Sequence, residues 1–186
     1  MERKFILLSL FVITSVFVWF IFFNNKPLPL EEVIAQEMPF FEKKEIIHIE
    51  KFDRFALVIS KANPDDLTNH SVNTEHTVPV IDFFVENNKN GWSFLNSSWE
   101  APRSYTDHLT SFIKFLPLEE NRLITFGDIN HPEIHNVKIK VGDEYLAANI
   151  IEDTYGNKTY FLVHEPENDR LIKGYSEAGN IIFEVN

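Results

Sequence analysis

Residues 45–60 read Glu45-Ile46-Ile47-His48-Ile49-Glu50-Lys51-Phe52-Asp53-Arg54-Phe55-Ala56-Leu57-Val58-Ile59-Ser60, and their pattern decides the fold class. Isoleucine, valine and phenylalanine dominate, and branched or aromatic side chains suit the pleated surface of a sheet. Asp53-Arg54 separates two such runs, Glu45 to Phe52 and Phe55 to Ser60, so the stretch predicts a β-hairpin. The second run is almost wholly apolar from Phe55 to Ile59. That continuity suits a central strand buried on both faces.

Moving towards the C-terminus, Lys61 to Thr77 is rich in Asn, Asp, Thr, Ser and His. It predicts a long polar loop with little to bury, expected to be disordered rather than a recognition loop. Val78 to Glu86 returns to strand chemistry, Asn87-Asn88-Lys89-Asn90-Gly91 supplies a turn, and Trp92 to Leu95 answers it as a second hairpin. Between Ser104 and Leu116 the apolar residues Tyr105, Leu109, Phe112, Ile113 and Leu116 repeat helically, while Phe112 to Phe115 equally suits a strand. Beyond Pro117, strands are predicted at Leu123 to Phe126, Asn136 to Val141, Tyr145 to Ile151, Lys158 to His164, Leu171 to Tyr175 and Ile181 to Val185. Their separators are turn residues such as Gly127-Asp128, Gly142-Asp143 and Glu177-Ala178-Gly179-Asn180. Short links between many short strands point to a mainly β fold, an antiparallel β-sandwich or open barrel over residues 40–186.

Moving towards the N-terminus, Leu30, Val33, Ile34 and Glu37 fall at helical spacing, with Glu31 and Glu32 where the helix dipole favours carboxylates. Pro39 ends this short helix, and Lys26-Pro27-Leu28-Pro29 is a stiff connector before it. From Phe5 to Phe23 runs an uncharged segment of 19 residues. At about 1.5 Å per residue it is roughly 28 Å long as a helix, enough for the ~30 Å hydrocarbon core of a bilayer. Arg3 and Lys4 precede it and only Lys26 follows closely, so the positive-inside rule puts the N-terminus in the cytoplasm and the rest outside. A cleaved signal peptide fits less well, because the apolar run is long and ends in Phe22-Phe23-Asn24-Asn25 without small residues. The expected organisation is a cytoplasmic stub at 1–4, a transmembrane anchor at 5–23 contacting the lipid bilayer, a linker with a short helix at 24–39, and an extracytoplasmic β domain at 40–186. The predicted localisation is the cell membrane, single-pass.

The 186 residues carry 17 Lys plus Arg against 28 Asp plus Glu, a formal net charge of −11. Such a balance argues against nucleic acid, whose binders concentrate cations on one face. An acidic ectodomain is also expected to stand off anionic lipid. The absence of cysteine excludes disulfides, thiolate metal sites, cysteine nucleophiles and a lipoprotein anchor. Abundant Asn, Lys, Ile, Phe and Glu with only 6 Gly suggests a low-GC bacterium.

Several residue groups invite chemistry. His131 and His135 have the i, i+4 spacing of a metal-binding pair, but Pro132 and a following strand pattern remove the helix that would align them. Asp107-His108 near Ser104 and Ser111 supplies triad residue types without a nucleophile motif. No cofactor is implied, since P-loop and dinucleotide fingerprints are missing from the sequence. Trp92, Trp99 and Tyr105 lie within 14 residues and are the candidate contacts for a protein or glycan partner, with core packing as the competing role.

The hairpin of Glu45 to Ser60, the Asn90-Gly91-Trp92 turn, Ile124-Thr125-Phe126-Gly127-Asp128-Ile129-Asn130-His131-Pro132-Glu133-Ile134-His135-Asn136-Val137 and the terminal Gly174-Tyr175-Ser176-Glu177-Ala178-Gly179-Asn180-Ile181-Ile182 form one pattern. Behind an N-terminal span, it resembles uncharacterised small exported or membrane-anchored proteins of Bacillus-type Firmicutes. The likeness covers most of residues 30–186. It implies an envelope location and a β-rich fold, and no activity or functional residue. The expected function is therefore a membrane-tethered, non-catalytic binding or accessory module of the cell envelope. The alternative is a membrane-anchored hydrolase acting on cell-wall or peptide substrate, which would gain if His108 or His131 shared a cleft with carboxylates.

Overall fold

A computed structural model describes residues 27–67, 76–87, 91–100, 108–116, 121–166 and 171–185. Of these residues 59% are strand and 11% helix, and all strand pairing within the sheets is antiparallel. The expected span at Phe5 to Phe23 lies outside the described residues, and among those described no helix is long and apolar enough to cross a membrane.

Strands β1 (Lys44–Phe52) and β2 (Phe55–Ala62) form the expected hairpin, closed at Phe52 opposite Phe55. A bulge lies between Ile46 and His48. It lets two adjacent residues share a face, Ile47 and His48 both turning towards the second sheet, with the His48 ring 5.2 Å from that of Phe161. Strands β3 (Val78–Asn87) and β4 (Gly91–Trp99) complete a meander in the order β1-β2-β3-β4. Every residue of β2 is buried, as its apolar run predicts. Its odd residues Phe55, Leu57 and Ile59 meet Phe126 and Phe161 of the second sheet. On its other face Ala56 and Val58 lie beneath helix α1 (Leu30–Glu37).

The second sheet runs β5-β6-β10-β9, from β5 (Phe112–Phe115), β6 (Leu123–Ile129), β9 (Asn149–Glu152) and β10 (Lys158–His164). Alternation along β10 sends Phe161 and Val163 towards the first sheet and Tyr160 and Leu162 towards the third. That third sheet runs β12-β11-β7-β8, from β7 (Asn136–Val141), β8 (Glu144–Ala147), β11 (Ile172–Tyr175) and β12 (Ile181–Val185). The result is four layers: helix, sheet, sheet, sheet.

Among the expectations that change, Gly127-Asp128, expected as a turn, lies inside β6 opposite Tyr160 and Thr159. Tyr145 to Ile151 is two strands, because the chain leaves the third sheet at Ala148 and enters the second as β9. The open segment before Leu116 contains strand β5 and an isolated bridge from Leu109 to Ile129. The loop at Lys61 to Thr77 is shorter than expected and does contribute to the interior. Lys61 and Ala62 belong to β2, and Pro64–Leu67 forms a helical turn, α2, with Pro64 and Leu67 buried. Polar composition hid these two side chains, of which Leu67 packs beside Val78 and Val80.

Val58 is fully buried in the centre of the first sheet. Val58→Asp should cost several kcal/mol, comparable with the stability of a marginal domain. Wild-type thermal melting of that variant would contradict the layer assignment.

Candidate functional site

The sequence-selected aromatics do not form one surface. Trp92 packs against the cluster beneath α1, and Trp99 packs against Ala62, Leu67, Val78 and Val80. They stand seven residues apart on β4, roughly 23 Å along a strand. Tyr105 lies outside the described residues.

Charged side chains come together elsewhere. Lys61 ends β2 on the face that meets the second sheet, and its ammonium donates to Asp128 Oδ1 near the end of β6. Thr159, opposite Asp128 on β10, donates its hydroxyl to the same oxygen at 2.9 Å. Burial pushes the Asp128 carboxyl above its ordinary value, and Lys61 opposes that rise. Asp153 sits nearby in the β9–β10 hairpin. Burial raises its pKa too, but hydrogen bonds from Asn157 and the Tyr155 N–H outweigh this and hold it below the usual range.

The approach of residue 110 to β6 shapes this corner. Thr110 N–H donates to Asp128 O at 3.1 Å, and Asp128 N–H donates to Thr110 Oγ1 at 2.7 Å. Tyr160, fully buried and kept neutral by that burial, donates its hydroxyl to Thr110 O at 2.7 Å. Such contact requires glycine at 127, since a Cβ there would lie 1.9 Å from Thr110 O.

Above the Lys61–Asp128 pair opens a cavity of about 690 Å³. Its wall is completed by His76 and Thr77 ahead of β3, Asn130 and His131 after β6, and Asn157 and Lys158 of the β9–β10 hairpin. The hairpin tip is fastened to the first sheet by Thr154, whose hydroxyl donates to Glu45 Oε1 at 2.7 Å. His131 accepts a hydrogen bond from Glu133 N–H on Nδ1 at 3.3 Å. Its ring lies 4.5 Å from that of His108, which in turn lies 5.2 Å from Phe183. His135 faces a separate shallow groove beside Glu133 and Ser176, so the i, i+4 histidine pair is not brought together. Among the described residues no group of three His, Asp or Glu is placed to hold a metal ion.

No protein family matches this chain, and no curated protein or solved structure is significantly similar to it.

Function therefore has to be argued from the site. Sequence reasoning passed over Lys61 and Asp128, although each carries a signal. Lys61 follows six buried residues of β2, and Asp128 closes a run of apolar residues in β6. A charge inside a buried run requires a partner, because an isolated ion there would be far too costly. Pairing the two needs contact between residues 67 apart in sequence, which no local pattern records.

Proposed function

We propose that this protein is a membrane-tethered envelope module that binds a small ligand carrying an anionic group in the Lys61–Asp128 cavity. The observation carrying this reading is the chemistry of the lining. Two lysines, Lys61 and Lys158, face one carboxylate, and His76, Asn130, His131 and Asn157 surround them. Asp128 Oδ1 is already engaged by Lys61 and Thr159. Lys61 is offset by Asp128, so Lys158 carries the net positive charge that the wall offers a ligand, in a chain of net charge −11. Local inversion of charge in a concavity concentrates ligands of the opposite sign. Tethering rests on the apolar run from Phe5 to Phe23 and the cations ahead of it.

The test is isothermal titration of the full chain in detergent with inorganic phosphate and with succinate. Saturable binding of at least one is expected, weakened about tenfold, ~1.4 kcal/mol, by Lys158→Ala. Lys158 is half-exposed at the start of β10, so the variant should keep its fold. Two results would overturn the reading: neither anion binding at millimolar concentration, or binding indifferent to Lys158.

One observation favours the hydrolase alternative, namely that Asp128, with its raised pKa, shares the cavity with His131. Against it, His131 Nδ1 is used by the Glu133 N–H and one side of its ring faces His108. Hydrolysis of peptide or wall fragments that disappears in His131→Ala would replace binding with catalysis.

A further inference from the structure

The chain's entry into the domain fixes which way the cavity faces. Leu28 bridges to Gly91 in parallel register, and Gly91 adopts φ +76°. A side chain at position 91 would collide with Leu28 O at 2.7 Å and Pro27 Cβ at 2.8 Å, so glycine is what lets the entering chain press against the start of β4. Immediately afterwards Leu30, Val33 and Ile34 are buried against Ala56, Val58 and Phe84. Lys51 and Glu31, 3.0 Å apart, tie the same helix to β1. The segment expected as a linker is thus packed from Leu28 onwards. Between Phe23, the last residue of the apolar run, and Pro27 there are only three residues, which bridge at most about 14 Å when fully extended.

Strand register then places the other features relative to this entry point. Gly91 pairs with Asn87, and the Asp53-Arg54 turn lies at the same end, because Phe55 pairs with Val85. Lys61 pairs with Pro79. Eight residues of β3 separate Asn87 from Pro79, about 26 Å at ~3.3 Å per residue. In the second sheet, β6 reaches the cavity at Asp128.

We infer that the pole formed by Gly91 and the Asp53-Arg54 turn faces the lipid bilayer, and that the cavity opens at the opposite, membrane-distal pole. This inference rests on the tether reading above. The short connection holds the entry pole beside the span, and the packed helix leaves no pivot after Leu28. The cavity then samples the side away from the membrane, so its anionic ligand is a water-soluble molecule or wall component and not a lipid headgroup.

The cysteine-free chain makes the test direct, since one introduced thiol is the only labelling site. Asp53→Cys and Tyr155→Cys place one fluorophore at the entry pole and one at the cavity pole, both at exposed positions. The full-length variants are reconstituted into vesicles of phosphatidylcholine with phosphatidylglycerol, some of the lipid carrying a nitroxide on its headgroup. Quenching at 53 should be several-fold stronger than at 155. Equal quenching at the two positions, or stronger quenching at 155, in a chain that floats with the vesicles would overturn the orientation alone. A chain that fails to float with vesicles would refute the tether, and the orientation with it.

Discussion

Asp82→Ala is expected to unfold the domain or bring it close to unfolding. Asp82 lies in the middle of β3, on the face of the first sheet turned away from the second, opposite Val58. Lys44 Nζ donates to its two carboxylate oxygens at 2.9 and 2.8 Å. The two side chains are 1% and 0% exposed. Burial pushes the Asp82 carboxyl up, and Lys44 counters that effect. Removing the carboxylate leaves an ammonium sealed in the interior without its counter-charge. Loss of one partner from such a pair costs about 3–5 kcal/mol, a large part of a domain's total. The double variant Lys44→Met with Asp82→Leu removes both charges and should recover most of the loss, because apolar replacement of a complete buried pair is often neutral. Urea unfolding of the wild-type, single and double variants separates the outcomes. A single variant within about 1 kcal/mol of wild type would mean that water reaches Lys44.

Gly127→Ala should be nearly as damaging and should act on the cavity as well. Its Cβ would stand 1.9 Å from Thr110 O and 2.6 Å from Thr110 C, both backbone atoms that no rotamer change can move. Relief requires the segment at Thr110 to withdraw from β6, which strains the Thr110–Asp128 hydrogen bonds and the Tyr160 contact together. Overpacking costs about 1–3 kcal/mol where side chains can yield, and more is expected where only backbone can. For a domain of this size that corresponds to a melting temperature lower by roughly 10 °C. Gly179→Ala is the matched control. It carries the strain of φ +83° but meets no atom within 4 Å, so it should melt much closer to wild type. Because Thr110 and Asp128 line the cavity, any folded Gly127→Ala protein should also bind anions more weakly. Melting indistinguishable from the Gly179→Ala control would show that residue 110 can withdraw without cost.

Local sequence determined the elements whose signals are themselves local. The Asp53-Arg54 hairpin, the helix from Leu30 to Glu37, the strand from Asn136 to Val141 and the strand from Ile181 to Val185 stand where side-chain period and turn residues put them. The continuous apolar run at Phe55 to Ile59 correctly marked a strand buried on both faces. Those patterns record which side of an element leaves water, and they do not record what covers it. Tertiary structure alone decided that Tyr145 to Ile151 divides at Ala148 between two sheets, since a strand change is set by competing partners and not by period. It also decided that Trp92 and Trp99 serve two separate packing clusters. The cavity depended on it entirely. Lys61, Asp128 and Lys158 belong to three strands, and only stacking of the first sheet on the second brings these charges to one cavity. Charged residues in buried runs announce that a partner exists; the layer geometry chooses it.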